Sequence, residues 1–384
     1  MTLLNFATAG NIICAPGSVE QLGALVAQRD VGRVLLVCDP GIEALGLIDP
    51  ALESLNAADK EVCVFSDVEA DPSAATVEHA AQQARSVGAQ AVIGFGGGSP
   101  MDVAKAAAML LGSNQPLDAL YGVDKASGPR LPLLLIPTTA GTGSEVTPIA
   151  ILTIGAETKM GIVSPHLLPD VALLDPQLTK GLPPHITAAT GIDAMVHAIE
   201  AFTSLHKKNP ISDALAIKAL SLLAKGVPAA YADGANLEAR GDALLGASLA
   251  GMAFANAPVA AVHALAYPIG ARFHVPHGVS NALVLPHVLR FNLSVADALY
   301  AELAPLLCSA DEVSQAPSAA AALVNKLEQL CDRMGVPRRL RDVGIGEDAL
   351  PKLADDAMEQ TRLLINNPKE VTRADALAIY QAAF

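Results

Sequence analysis

Along the first 180 or so residues, short runs of apolar and β-branched residues alternate with longer Ala-rich runs at helical spacing. The runs RVLLVCD (33–39), KEVCVFSD (60–67), AQAVIGFG (89–96), PLLLIPTT (132–139) and DVALLD (170–175) predict strands. Between them, SVEQLGALVAQ (18–28) and SAATVEHAAQQARS (73–86) predict helices. Apolar strands alternating with helices predict a parallel sheet covered on both faces. After GLPPHIT (181–187) the strand-like runs stop and helical periodicity continues, broken around Pro210, Pro258 to Pro268, Pro276, Pro286 and Pro337. The Pro-Pro step, with Thr187 as a candidate N-cap, sets the expected boundary between an α/β domain over 1–182 and an all-helical domain over 183–384. No internal repeat or low-complexity tract interrupts this plan.

A chain of 384 residues suits two domains. Residues are 52% hydrophobic, yet there is no Trp and only 3% are aromatic, so the core must be built from Ala, Leu, Val and Ile. A formal charge of −14 argues against nucleic acid and against an anionic membrane surface, both of which need basic patches. Cys14, Cys38, Cys63, Cys308 and Cys331 form no CxxC pair and suit buried thiols in a reducing cytoplasm. The N-terminal MTLLNFATAGN lacks the basic start and apolar run of a signal peptide. The segment Ala243 to Ala271 carries no charge and is long enough to span a bilayer. Asn256, Pro258, His263 and Pro268 within it predict a buried helix pair instead.

Four potential metal ligands stand out in the helical half. Asp193 and His197 are four residues apart in GIDAMVHAIEAF, on one helix face. His263 and His277 frame VHALAYPIGARFHVPHG. A lone Asp or His is usually a solvated or satisfied side chain. Here the surroundings are apolar, and an unpartnered carboxylate would be costly there. Three imidazoles and a carboxylate suit a divalent transition ion such as Fe²⁺ or Zn²⁺. His79, His166, His185, His206 and His287 have no such context and read as structural or surface residues.

Three features of the α/β half suit a nucleotide. GFGGGSPMDVAKAAAML (94–110) runs from a strand through Gly96, Gly97 and Gly98 to Ser99, with Pro100 expected at the first helical position. Glycines let the backbone approach a diphosphate, and a helix N-terminus offers it N–H groups. The stretch is not GxGxxG, and a tight turn would use the same residues. PTTAGTGSEVT (137–147) packs Thr138, Thr139, Thr142, Ser144 and Thr147 among glycines, where hydroxyls and amides suit ribose and phosphate oxygens. Asp39 ends a strand, where a carboxylate can accept from an adenosine ribose and repel a 2′-phosphate; before Pro-Gly it is also a turn signal.

Taken together, GGGSPMDVAK, PTTAGTGSEVT, GIDAMVHAIEA and HVPHGVSNALVLPHV closely resemble the iron-containing, group III alcohol dehydrogenases, in that family's order and spacing over nearly the whole chain. The resemblance implies a Rossmann-like nucleotide-binding domain, an all-helical domain and an active site in the cleft between them. It implies that Asp193, His197, His263 and His277 hold the metal, with Fe²⁺ expected and Zn²⁺ or another divalent ion as alternatives. The pyrophosphate would lie on Gly96 to Ser99, with Asp102 near the nicotinamide, and Thr138, Thr139, Thr142 and Lys159 would line the rest. Asp39 stands where NAD-preferring members carry an acid, so NAD is expected over NADP. A homodimer or larger homo-oligomer is expected from the family.

The implied reaction is hydride transfer between an alcohol carbon and NAD, the ion acting as a Lewis acid toward the substrate oxygen. One position departs from the family. Many relatives carry a second His four residues after the first cleft His, thought to help proton transfer, and here Tyr267 stands there. Tyrosine is a poorer base at neutral pH, and His274, three residues before His277, is the other candidate for that role. Ile149 and Phe254 face the cleft in relatives, which suggests an apolar or lightly polar alcohol. No Arg or Lys cluster in these motifs announces an anionic substrate, which argues against a maleylacetate reductase and against the phosphate-eliminating relatives. A dehydrogenase of hydroxyacids, glycerol or maleylacetate is the second enzymatic reading. A non-catalytic module that keeps nucleotide and metal as structural parts is the alternative from another class.

Overall fold

All five expected strands form, each trimmed where its apolar run meets a turn, and four further strands join them. In chain order they are Ile12–Cys14 (β1), Arg33–Val37 (β2), Glu61–Phe65 (β3), Ala91–Gly96 (β4), Gly122–Val123 (β5), Leu133–Pro137 (β6), Ile149–Ile154 (β7), Thr158–Val163 (β8) and Val171–Leu174 (β9). The computed structural model describes residues 4–113, 115–155 and 158–384. Contacts divide it into one unit of Ala7–Gly181 and another of Leu182–Phe384 that also takes in residues 4–6.

In the first unit, six strands form a parallel sheet in the order β1-β9-β6-β4-β2-β3. Alternate residues feed two cores. Leu35, Val37, Val92, Leu133 and Leu135 enter one, and Val34, Leu36, Ile93, Phe95, Leu134 and Ile136 the other. The helices of this unit are Leu22–Ala27 (α1), Pro40–Ala44 (α2), Asp49–Ala57 (α3), Ala74–Val87 (α4) and Gly98–Gly112 (α5). The α4 and α5 side chains fill the first core, and those of α1 and α3 the second. Strands β5, β8 and β7 make a separate small sheet, in which β7 and β8 are antiparallel. That sheet was not expected from the sequence, because a two-residue strand and a short hairpin carry no clear period.

The strand order decides what the loops can do. Strands β2, β4 and β6 are neighbours, so the segments after their carboxyl ends lie side by side: Asp39, the glycine run and the Thr-rich run. Two helices, α5 and the first helix of the second unit, begin earlier than the sequence predicts. Helix α5 begins at Gly98, so Pro100 lies within its first turn, where no backbone N–H is needed for the helix ladder.

In the second unit the first helix is Pro184–Thr203 (α6), with Pro183 as its N-cap. Thr187 is therefore inside the helix, its hydroxyl donating to the Pro183 carbonyl at 3.2 Å, because proline suits the first turn. Then come Pro210–Ala232 (α7), Leu237–Asn256 (α8), Ala261–Phe273 (α9) and His277–Leu307 (α10), followed by shorter helices to residue 384. The uncharged 243–271 stretch is the end of α8, a break and α9, with a bend of 106° between the two helices. By length and composition α7 and α10 are long and apolar enough to cross a membrane. In this structure α6 packs against α7, α8 and α10. The first turn of α10 presses so closely on α6 that a Cβ at Gly278 would lie 2.2 Å from the Ala189 carbonyl oxygen.

Candidate metal centre and dinucleotide loops

Asp193 and His197 sit on the buried face of α6, His263 in the first turn of α9 and His277 at the start of α10. One ligand atom from each of the four lies within 4.8 Å of all the others. The Asp193 Oδ1 atom is 4.0 Å from His197 Nε2, 3.7 Å from His263 Nε2 and 3.5 Å from His277 Nε2. Three of the residues are buried, while the His277 side chain is 38% exposed and forms the accessible edge. Burial pushes the Asp193 carboxyl up, but the imidazoles of His197, His277 and His263 outweigh it and hold it well below the usual range. Burial pushes His263 down, but Glu200 and Asp193 raise it to about 9.

The donor set fits a divalent transition ion. Hard carboxylate and borderline imidazole atoms converge, and three of the four residues meet at one amide nitrogen. The Asn281 amide nitrogen lies 2.6 Å from Asp193 Oδ1 and 3.3 Å from the Nε2 atoms of both His263 and His277. Three candidate ligand atoms thus gather round one amide nitrogen, as the ligands of a cation site would round an ion. The Asn281 carbonyl oxygen, also buried, has no partner among the described residues.

Two side chains missed by sequence reasoning, Glu200 and Asn281, complete these surroundings. Glu200 lies seven residues after Asp193, so it shares the ligand face of α6, and it holds His263 Nδ1 at 2.6 Å. Asn281 follows His277 by one helical turn. A buried polar residue at helical spacing from a candidate ligand was the available signal for both. Phe254 stacks on His197, with ring centroids 4.3 Å apart, and Tyr267 lies 5.8 Å from His277 and 6.4 Å from His263 by the same measure. His274 is exposed and ends α9 in the left-handed region, with φ at 53°. No described ring contact brings it to the four ligands.

In the first unit, Gly96 has φ of 146°, and a Cβ there would meet Pro100 at 2.8 Å, so backbone geometry and packing both demand glycine. A Cβ at Gly97 would find nothing nearer than the Thr139 side chain at 3.8 Å, and one at Gly98 would meet Thr142 at 3.1 Å. The glycine run and the Thr-rich run therefore face each other. Gly97 caps α5 without a side-chain hydrogen bond, so the first N–H groups are not consumed by a cap. Thr138 is buried, and its hydroxyl has no partner among the described residues. Asp39 caps α2, accepting from Ile42 N–H at 3.0 Å through Oδ1, while Oδ2 lies 3.5 Å from where a Gly96 Cβ would stand. One oxygen of this carboxylate is thus taken up by the cap, and the other lies toward the glycine run.

Three further candidate cofactor residues, Asp102, Ser144 and Lys159, make hydrogen bonds within the protein. Ser144 donates to Asp102 at 2.7 Å and accepts from Lys105 at 2.8 Å. Asp102 also accepts from Ile151 N–H at 2.9 Å. Lys105, fully buried, completes its donors on Thr147 Oγ1 at 3.2 Å and the Ile149 carbonyl at 2.7 Å. Burial pushes Lys105 down to about 8 and raises Asp102. Sequence reading passed over Lys105, though a Lys three residues after Asp102 in an Ala-rich helix was visible. Lys159, on β8, pairs with Asp71 at 2.6 Å.

Comparison with known proteins agrees over both units. The profile described as iron-containing alcohol dehydrogenase matches residues 9–176, and that of the Fe-containing alcohol dehydrogenase family, C-terminal, matches 187–384. The chain is 41% identical over 371 residues to long-chain-alcohol dehydrogenase 1 of Geobacillus thermodenitrificans, covering 96% of this chain and 93% of that protein. It is 35% identical over 383 residues to sulfoacetaldehyde reductase of Bilophila wadsworthia, covering 98% of each. Among solved structures, that of a 1,3-propanediol oxidoreductase superposes with a TM-score of 0.96 at 34% identity over all of both chains. The sulfoacetaldehyde reductase of Bifidobacterium kashiwanohense, solved with NAD⁺, gives 0.89 at 30% identity, over 100% of this chain and 99% of that one. With a parallel-sheet unit, a helical unit and a four-residue candidate metal cluster all in place, the chain belongs to the iron-containing alcohol dehydrogenases and is an oxidoreductase of that family.

Proposed function

We propose that this chain is an NAD-dependent, metal-assisted alcohol dehydrogenase or aldehyde reductase. The observation that carries the reading is the convergence of Asp193, His197, His263 and His277, each offering one atom within 4.8 Å of the rest. These four would hold Fe²⁺, with Zn²⁺ or another divalent ion as alternatives, and a bound ion supplies a Lewis acid for a substrate oxygen. Phe254 and Tyr267 border the cluster with aromatic surface and His277 leaves it accessible, which favours an uncharged alcohol or aldehyde. Of the four side chains set against the ligands, Phe254, Tyr267, Glu200 and Asn281, none is a cation. The resemblance to sulfoacetaldehyde reductases keeps a short anionic aldehyde as the second reading.

For the cofactor, the Gly97 and Gly98 backbone and the N-terminus of α5, which has no side-chain cap, would take the diphosphate. The unpartnered Thr138 hydroxyl, with Thr139 and Thr142, would bind beside it. Asp39 Oδ2 would accept from the adenosine ribose and disfavour a 2′-phosphate. Asp102 and Ser144 would act from the wall, as part of the Lys105 network, and Lys159 from the hairpin edge. Tyr267 is the better-placed proton-transfer group because it touches the cluster, while His274 sits at an exposed helix end. We further place the chain in the cytoplasm as a homodimer or larger assembly, acting without nucleic acid or membrane partners.

The test is NAD⁺ reduction by anaerobically purified protein reconstituted with Fe²⁺ or Zn²⁺, over a panel of alcohols, diols, hydroxyacids and the alcohol of sulfoacetaldehyde. Metal-dependent turnover of uncharged alcohols is expected, and no turnover with any metal or substrate would favour the binding module. In the same assay Tyr267→Phe should lower kcat by roughly a hundredfold and His274→Ala should not. The reverse outcome would move the proton-transfer role to His274.

A further inference from the structure

Glu200 is a carboxylate buried in an apolar helix, and neither bulk solvent nor a described Lys or Arg compensates it. What holds it is a pair of hydrogen bonds to one segment of another helix. One oxygen accepts from the Val262 backbone N–H at 2.6 Å, and the other lies 2.6 Å from His263 Nδ1. Both side chains of that second contact are almost fully buried, at 2% and 3% exposure. The N-cap of α9, Ala260, has no side-chain cap of its own. Glu200 therefore caps α9 from outside and holds the ring of its third residue in the same grip.

The consequence for the ring follows from valence. An ionised carboxylate can only accept, so the hydrogen of a neutral His263 must sit on Nδ1. The Nε2 lone pair then faces the cluster, 3.7 Å from Asp193 Oδ1 and 3.3 Å from the Asn281 amide nitrogen. We propose that Glu200 is a positioning residue for the metal centre: it fixes His263 as the Nδ1–H tautomer, aims Nε2 at the other three ligands, and thereby sets divalent-metal affinity. The inference rests on the metal reading of the four-residue cluster.

Glu200→Gln separates this role from bulk and shape. Its amide can accept from Val262 with the oxygen, but it then presents an NH₂ donor to His263 Nδ1. That donor forces the ring hydrogen onto Nε2, where it blocks ligation. If the amide is reversed, the cap is lost instead.

The experiment measures Zn²⁺ and Co²⁺ affinity of the full chain by competition with a chelating dye, for wild type, Glu200→Gln, His263→Ala and the double variant. Glu200→Gln should bind either ion roughly 10- to 100-fold more weakly. In the His263→Ala background the same change should cost little further, because its effect passes through the ring. Equal affinity in wild type and Glu200→Gln would overturn the proposal, as would an equal loss in both backgrounds, which marks a purely structural cap. A wild-type chain that binds neither ion would sink the metal reading itself. Should Glu200→Gln fail to fold, ¹⁵N-histidine NMR of the Zn²⁺-loaded wild type still decides. A hydrogen on His263 Nδ1 is expected, and one on Nε2 would refute the assignment.

Discussion

Lys105 and Asp193 are both charged side chains buried in Ala-rich helices, and their surroundings treat them in opposite ways. All three ammonium hydrogens of Lys105 find oxygen acceptors, on Ser144, Thr147 and Ile149, and the Asp102 carboxylate 3.7 Å away accepts from Ser144 and Ile151. Charge and hydrogen bonds close on themselves there. Around Asp193 the balance is tilted: a carboxylate and two imidazoles lie round one amide nitrogen, with His197 beside them. A closed network stabilises the placement of a loop, whereas an excess of inward acceptors asks for a cation. Counting donors against acceptors, rather than counting charges, distinguishes a tie from a site.

The largest effect should come from breaking the open cluster. Asp193→Ala removes its only carboxylate and should cost several kcal/mol of transition-state stabilisation, roughly a thousandfold in kcat/KM. Bound metal, measured by elemental analysis, should fall with it. Full activity without bound metal would erase the contrast between the two clusters.

Breaking the closed network should act on stability instead. Lys105→Met leaves Asp102 buried without its counter-charge, and a loss of about 3 kcal/mol in urea unfolding is expected, with metal content unchanged. The pH dependence sharpens this. Folded Lys105 releases its proton near 8 and the unfolded chain near 10.5, so between those values the unfolded state binds more protons. Wild type should therefore gain stability relative to Lys105→Met as pH rises across that window, by at most about 1.4 kcal/mol per pH unit. A flat difference curve would mean that Lys105 does not titrate there.

The smallest effect belongs to Asp39, whose carboxylate straddles both categories. Asp39→Asn keeps the oxygen that caps α2 and removes the charge. NADP⁺ should gain on NAD⁺ by roughly tenfold in kcat/KM, with the melting temperature unchanged. An unaltered cofactor ratio would leave Asp39 as a cap alone.

Much of this arrangement was legible along the chain. The alternation of strand and helix runs anticipated the parallel sheet, and the four-residue step from Asp193 to His197 anticipated a shared helix face. The small sheet of β5, β7 and β8 was not legible, because a two-residue strand and a short hairpin carry no clear period. Glu200 and Asn281 were visible as letters but not as neighbours of His263 and Asp193, since those contacts span 63 and 88 positions. The sequence marked Ser144 as a candidate ligand hydroxyl but not as the link between Lys105 and Asp102, which lie 39 and 42 positions away.

By itself, the sequence determined the two-part plan, the family and the residue types able to ligate a metal, because periodicity and local spacing are properties of the chain. Only the tertiary structure decided which polar groups are consumed internally and which converge unspent. Hydrogen bonds saturate, and whether a buried oxygen or nitrogen has a partner depends on what the fold brings within 3 Å or so of it.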